Sequence, residues 1–171
     1  MNLSEQKRVY VQIQIEIGDN LPLSTEDIQQ CIDLSLKASE LELLLPLAVN
    51  VRIVGNDESL ILNKQYKNGN FPTNVLAFKG NLEEEKSLGI QPPFLGDVII
   101  CFPVVEKEAI DQEKTFDQHF AQMLVHGFLH LLGFDHQNDE DEKVMRELEN
   151  ETLENFRMMR KIDHYTTMPM N

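Results

Sequence analysis

Val9, Val11, Ile13, Ile15 and Ile17 alternate with Tyr10, Gln12, Gln14 and Glu16, the period of two that a half-buried strand shows. Asn20, Pro22 and Ser24 end that run. Ser24, with Asp27 three positions on, then opens a helix whose apolar stripe is Ile28, Cys31, Ile32 and Leu36, running to about Glu40. Leu47, Val49, Val51 and Ile53 predict a second strand closed by Gly55. Asp57 is expected to cap a short helix through Leu60, Ile61 and Asn63 to about Tyr66, and Lys67 to Phe71 reads as a loop rich in Asn and Gly. Pro72 leads into a short strand over residues 74–78. A polar, glutamate-rich loop ending at Pro92-Pro93 follows, expected to be mobile and to act as a flap. Residues 97–102 form the last predicted strand, and Pro103 suits the first turn of a helix to about Glu113.

Residues 116–132 are apolar almost all round: Phe120, Leu124, Gly127 and Leu131 share one side, while Met123, His126 and His130 share another. Such a helix belongs in the middle of a domain. Asp139 with Glu142 starts a final helix, with Val144, Leu148 and Phe156 spaced for burial to about Arg160. The remainder, 161–171, carries His164, Met168 and Met170 among polar residues and reads as a frayed, flexible tail. Strands alternating with helices, then helices alone, predict an α+β fold. It is a small mixed β-sheet covered by helices, with the histidine helix central, in a single domain over 1–160.

At 171 residues, with 42% hydrophobic and 26% charged positions, the chain has the composition of a globular protein with a real core. No apolar run approaches bilayer length, and the first eight residues lack the apolar core of a signal peptide, so the cytoplasm is the expected location. Cys31 and Cys101 stand apart in apolar patterns and read as unpaired core residues. The formal net charge of −14 disfavours a general nucleic-acid binder. Its distribution changes that picture. Residues 59–82 hold no acid but carry Lys64, Lys67 and Lys79, a basic lip able to bind phosphates on an acidic body.

Three of the five histidines, His126, His130 and His136, lie within eleven residues. Positions four apart stand one helical turn above each other, so two imidazoles converge on one ion. Gly133 fits a left-handed helix cap, after which the chain turns and His136 supplies a third nitrogen. Three ligands with an open fourth position describe a catalytic metal site, with one Zn2+ as the natural occupant and other divalent transition metals possible. The spacing matches the metzincin peptidase motif except at one point: the Glu that serves there as general base is Gly127, which transfers no proton. His119 lies on the same side, but seven residues from His126 puts it ~10 Å away. It reads as a core or supporting histidine.

The segment His126-Gly127-Phe128-Leu129-His130-Leu131-Leu132-Gly133-Phe134-Asp135-His136 resembles that of the YbeY family of metal-dependent endoribonucleases. Residues 62–67, 72–78 and 95–101 support the resemblance in the family's order, and together they cover roughly residues 8–157. The resemblance implies a zincin-like fold and single-strand-specific, zinc-dependent cleavage of RNA. It further implies maturation of the small-subunit ribosomal RNA 3′ end and ribosome quality control. The implied partners are RNA and the ribosome or ribosome-associated proteins, with neither membrane nor DNA. Lys67 stands where the family usually has Arg; it supplies charge toward phosphate without the planar fork.

Candidate catalytic residues are therefore Lys67, Asp135 and Asp97. Asp135 neighbours a ligand and can act as base or orient a histidine, Asp97 opens a family-like strand, and an RNA 2′-hydroxyl is itself a possible nucleophile. Two rival readings are a ribosome-assembly or RNA-binding factor with a mainly structural metal, and a zincin-like hydrolase or peptidase, which Gly127 disfavours.

Overall fold

A computed structural model of the protein describes residues 8–17 and 20–167, with side chains to residue 161. Among these residues, four strands form one sheet: β1 (Val9–Ile15), β2 (Leu47–Val54), β3 (Val75–Lys79) and β4 (Phe94–Cys101). Their order is β1-β2-β4-β3. The first three neighbours run parallel and β3 is antiparallel on the edge, which makes the sheet mixed. A register shift at Ala48/Val49 lets Phe94 and Gly96, two apart in β4, face adjacent residues of β2.

Among the described residues, six helices surround the sheet: α1 (Thr25–Ser39), α2 (Asn56–Lys67), α3 (Leu82–Ser87), α4 (Phe102–Asp111), α5 (Phe116–Leu131) and α6 (Asp139–Thr167). Strand alternation sends Val49, Val51, Ile53, Val98 and Ile100 to one face, where they join Ile28 and Ile32 of α1 and Phe120, Leu124 and Phe128 of α5 in the main core. On the opposite face Val54, Leu76 and Ile99 form a smaller buried cluster, with Leu62 of α2 and Phe78 packed on it. α6 lies across α1 and α5. The histidine helix is thus sandwiched between sheet and α6, and ten of its sixteen residues are buried. Cys31 and Cys101 are buried and unpaired, and burial pushes both thiols up.

Several expectations need correction. β1 ends at Ile15 rather than Ile17, which is 41% exposed. Gly55, not Asp57, occupies the N-cap of α2; Asp57 sits in its first turn. The glutamate-rich flap contains α3, capped by Asn81 and tied to β4 where Phe94 N donates to Glu85 (3.1 Å). Val144 is exposed, and the buried stripe of α6 is Met145, Glu149, Thr152 and Phe156. The expected tail at 161 is still helical to Thr167; the side chain of His164, and Met168 and Met170 altogether, lie outside the described residues. Among the described residues no helix is long and apolar enough to cross a membrane.

Candidate metal centre

Thr115 caps α5 reciprocally with Gln118, fixing the start of the helix. Its far end closes in a Schellman motif: Gly133 N donates to His130 O (3.0 Å) and Phe134 N to Leu129 O (3.1 Å). Gly133 has φ +103°, a conformation that favours glycine. Within this turn Asp135 Oδ1 accepts the backbone N–H of His136 at 2.8 Å. That bond, above all, holds the Asp135 carboxyl below the ordinary carboxylate range. The chain is bent so that His136 returns over the last turn of α5. Ligand atoms of His126, His130 and His136 all lie within 4.8 Å of one another.

The geometry fits a metal ion. His126 Nε2 faces His130 Nε2 at 3.1 Å, while His126 Nδ1 is hydrogen-bonded to Glu149 of α6. An ionised carboxylate only accepts, so this contact favours the proton on Nδ1 of His126, and in the neutral ring Nε2 then keeps its lone pair for an ion. Burial first, and then His126 and His136, hold the His130 imidazolium below its usual pKa, favouring the neutral form that ligates. Three imidazoles converging in a partly buried site suit a shared cation. A carboxylate behind a ligating imidazole is the usual means of orienting it.

Gly127 has a positive structural role. A Cβ there would stand 2.7 Å from Val98 Cγ1 and 3.0 Å from Val75 Cγ2. The position faces the sheet, and only a glycine lets α5 come so close. The peptidase carboxylate has no room here.

A cleft of about 630 Å³ opens beside the histidines, lined by Asn74, Met123, His126, His136, Arg146 and Glu149 among others. Asn74 is held by Glu108, whose two carboxylate oxygens accept from its Nδ2 at 3.1 and 3.3 Å. Glu108 in turn meets Nε2 of the buried His119 at 3.1 Å. His119 thus braces the cleft wall, as a supporting histidine should, and stands apart from the three-histidine group.

The other candidate residues are not brought together with the histidines. Val98 abuts Gly127, so alternation puts Asp97 on the opposite face of the sheet, paired with Phe78 and Asn50. Lys67 Nζ lies 5.7 Å from the centroid of the Phe78 ring, on that same opposite face. Lys64, Lys67 and Lys79 are all exposed, and none of them lines the histidine cleft. Two cleft residues escaped the sequence pattern. Arg146 pairs with Glu142 at 2.7 Å and is inconspicuous in a charged helix. Glu149 had a usable signal: it is the one acid in the stripe Met145, Glu149, Thr152, Phe156, spaced four, three and four.

A family model described as Endoribonuclease YbeY matches residues 12–157. The Endoribonuclease YbeY of Cellvibrio japonicus is 41% identical over 145 residues, covering 83% of this chain and 77% of its own length. That of Xanthomonas axonopodis pv. citri is 46% identical over 103 residues, covering 60% of this chain and 64% of its own. The matched chain thus spans a little under two thirds of the Xanthomonas relative. Among solved structures, the solution structure of TM1509 from Thermotoga maritima aligns with a TM-score of 0.54 at 22% identity, covering 88% of this chain and 93% of that one. At that identity the likeness speaks for the α+β fold alone.

Proposed function

Because this chain belongs to the YbeY endoribonuclease family, we propose that it is a zinc-dependent endoribonuclease that cuts single-stranded RNA at the histidine cleft. The observation that carries the proposal is the convergence of His126, His130 and His136 beside that open cleft, with Glu149 behind the first of them. These three imidazoles would hold the ion. When bound it supplies a Lewis acid for a phosphoryl oxygen and a lowered pKa for water.

The chain's own residues do the rest. Glu149 keeps the Nδ1 proton of His126 in place, so that Nε2 faces inward. Asp135 fixes the turn that returns His136, a positioning role; its depressed pKa makes it a weak proton acceptor. Arg146 brings a guanidinium to the cleft wall, able to grip a phosphate in two-pronged fashion. Lys64 and Lys67 of α2 and Lys79 of β3 are exposed cations outside the cleft, available to the phosphates of a longer strand. An RNA 2′-hydroxyl or a water remains as nucleophile.

A zincin-like kinship of the fold accords with a metal helix packed beneath an antiparallel edge strand. The substrate in the cell would be ribosomal RNA near the small-subunit 3′ end, met in the cytoplasm on or with the ribosome. A peptidase role is disfavoured by the tight seat of Gly127.

The test is cleavage of a labelled single-stranded RNA by the parent and by His130→Ala, purified identically. Metal-dependent cleavage by the parent and at least about a hundredfold loss in the variant are expected. Equal cleavage by both proteins would sink the proposal.

A further inference from the structure

A second cleft, about 700 Å³, runs between α5 and α6. Its lining includes Lys114, Arg157, Arg160 and Lys161, against a single carboxylate, Asp117. On a chain with 29 acidic and 15 basic residues this is a reversal of local charge. Gln122 lines both this cleft and the histidine cleft, so the two adjoin. Their adjacency follows from the helical hairpin. On α5, Gln118, Gln122 and His126 recur every four residues along one face. On the antiparallel α6, Arg146, Asn150, Leu153 and Arg157, spaced four, three and four, line the facing edge. From His126 to Gln118 the groove extends about 12 Å along the axis.

Three of the four cations are available. Arg157 pairs with the exposed Glu154 at 3.1 Å, Lys114 Nζ donates to the neutral Gln122 at 2.9 Å, and Lys161 is exposed. Arg160 is the fixed member: it pairs with Asp117 at 2.7 Å, has Asp27 at 4.0 Å and lies over the Phe156 ring. Neutral amides from Gln118 and Gln122 separate the cationic end from the histidines, offering hydrogen bonds without charge selection.

We propose that this α5–α6 groove is an RNA-backbone subsite, in which phosphates a few nucleotides from the cut are held by Lys114, Arg157, Arg160 and Lys161. The proposal rests on the endoribonuclease reading and deepens it. Phosphate neutralisation supplies most non-specific affinity for nucleic acid. The groove puts that affinity within one strand's reach of the histidines and confines it to one track on an otherwise acidic surface. Because only the backbone is gripped, a longer substrate gains affinity whatever its sequence.

The full-length protein would be titrated with single-stranded RNA of about four and about twelve nucleotides, by fluorescence anisotropy at several salt concentrations. The parent is compared with Arg157→Glu/Lys161→Glu and with the charge-keeping Arg157→Lys. The parent is expected to bind the longer RNA at least tenfold more tightly. The double reversal should erase most of that advantage and flatten the salt dependence by about 0.7 in log–log slope for each phosphate no longer neutralised. Arg157→Lys should retain it. Unchanged length advantage and salt slope in the double variant would overturn the groove. Binding is read independently of cleavage. Failure of the parent to cut RNA would therefore strike the endoribonuclease reading, while the anisotropy still decides the groove.

Discussion

Glu149 stands behind His126 as a buried acceptor, in a stripe otherwise made of Met145, Thr152 and Phe156. Its carboxylate is kept there by the imidazole it orients. Glu149→Gln preserves the shape but not the preference for one tautomer of His126. Metal affinity, measured by competition with a chelator, should weaken about 10- to 100-fold. An unchanged affinity would show that Glu149 only fills space. Gly127 sets the opposite constraint, since its place is defined by what it lacks. Gly127→Glu would restore the peptidase pattern in sequence, yet its Cβ meets Val98 and Val75. The added bulk and buried charge should cost at least about 3 kcal/mol in denaturant unfolding. A stable, folded Gly127→Glu protein would refute the close helix–sheet packing.

At the scale of elements, α5 is held at both ends by local chemistry: the Thr115–Gln118 capping box and the turn through Gly133. Asp117, in its first turn, takes part in both local and long-range interactions. Burial alone would raise its pKa. Hydrogen bonds from Thr115, Arg160 and the Gln118 N–H outweigh that and hold it below the usual carboxylate range. A carboxyl whose folded pKa lies below its unfolded value stabilises above that unfolded value. The contribution is lost as pH falls through the folded one. Asp117→Asn should therefore melt earlier than the parent at neutral pH, with the gap closing as pH drops below about 4. A gap that persists in acid would mean the side chain acts through packing. The α3 helix, embedded in an acidic stretch that reads as loop, was hidden by its brevity: no residue of it is buried, so no periodicity marks it.

Over the whole molecule, the three-histidine cluster is peripheral to the forces that hold the fold. The main core joins three strands to α1, α4, α5 and α6 without using His126, His130 or His136. Removing the ion with a chelator should abolish cleavage while far-ultraviolet circular dichroism keeps most of its helical signal. A structural ion would instead take the fold with it. Collapse of the signal on chelation would favour the assembly-factor reading over the nuclease.

Much was legible in the sequence because it is local. Among the described residues, the four strands, five of the six helices and the three-histidine cluster follow from periods of two and 3.6, from capping residues and from the His126–His130–Gly133–His136 spacing. Each depends on residues a few positions apart, where chain geometry fixes what meets what. The tertiary structure decided what lies across gaps: which face of the sheet receives Asp97, that Lys67 rests on Phe78, and that Glu149 arrives behind His126 from 23 residues downstream. Strand alternation names two faces but not which one a helix will cover. Only the packing of α5, admitted by Gly127, put the histidines on one side and Asp97 and Lys67 on the other.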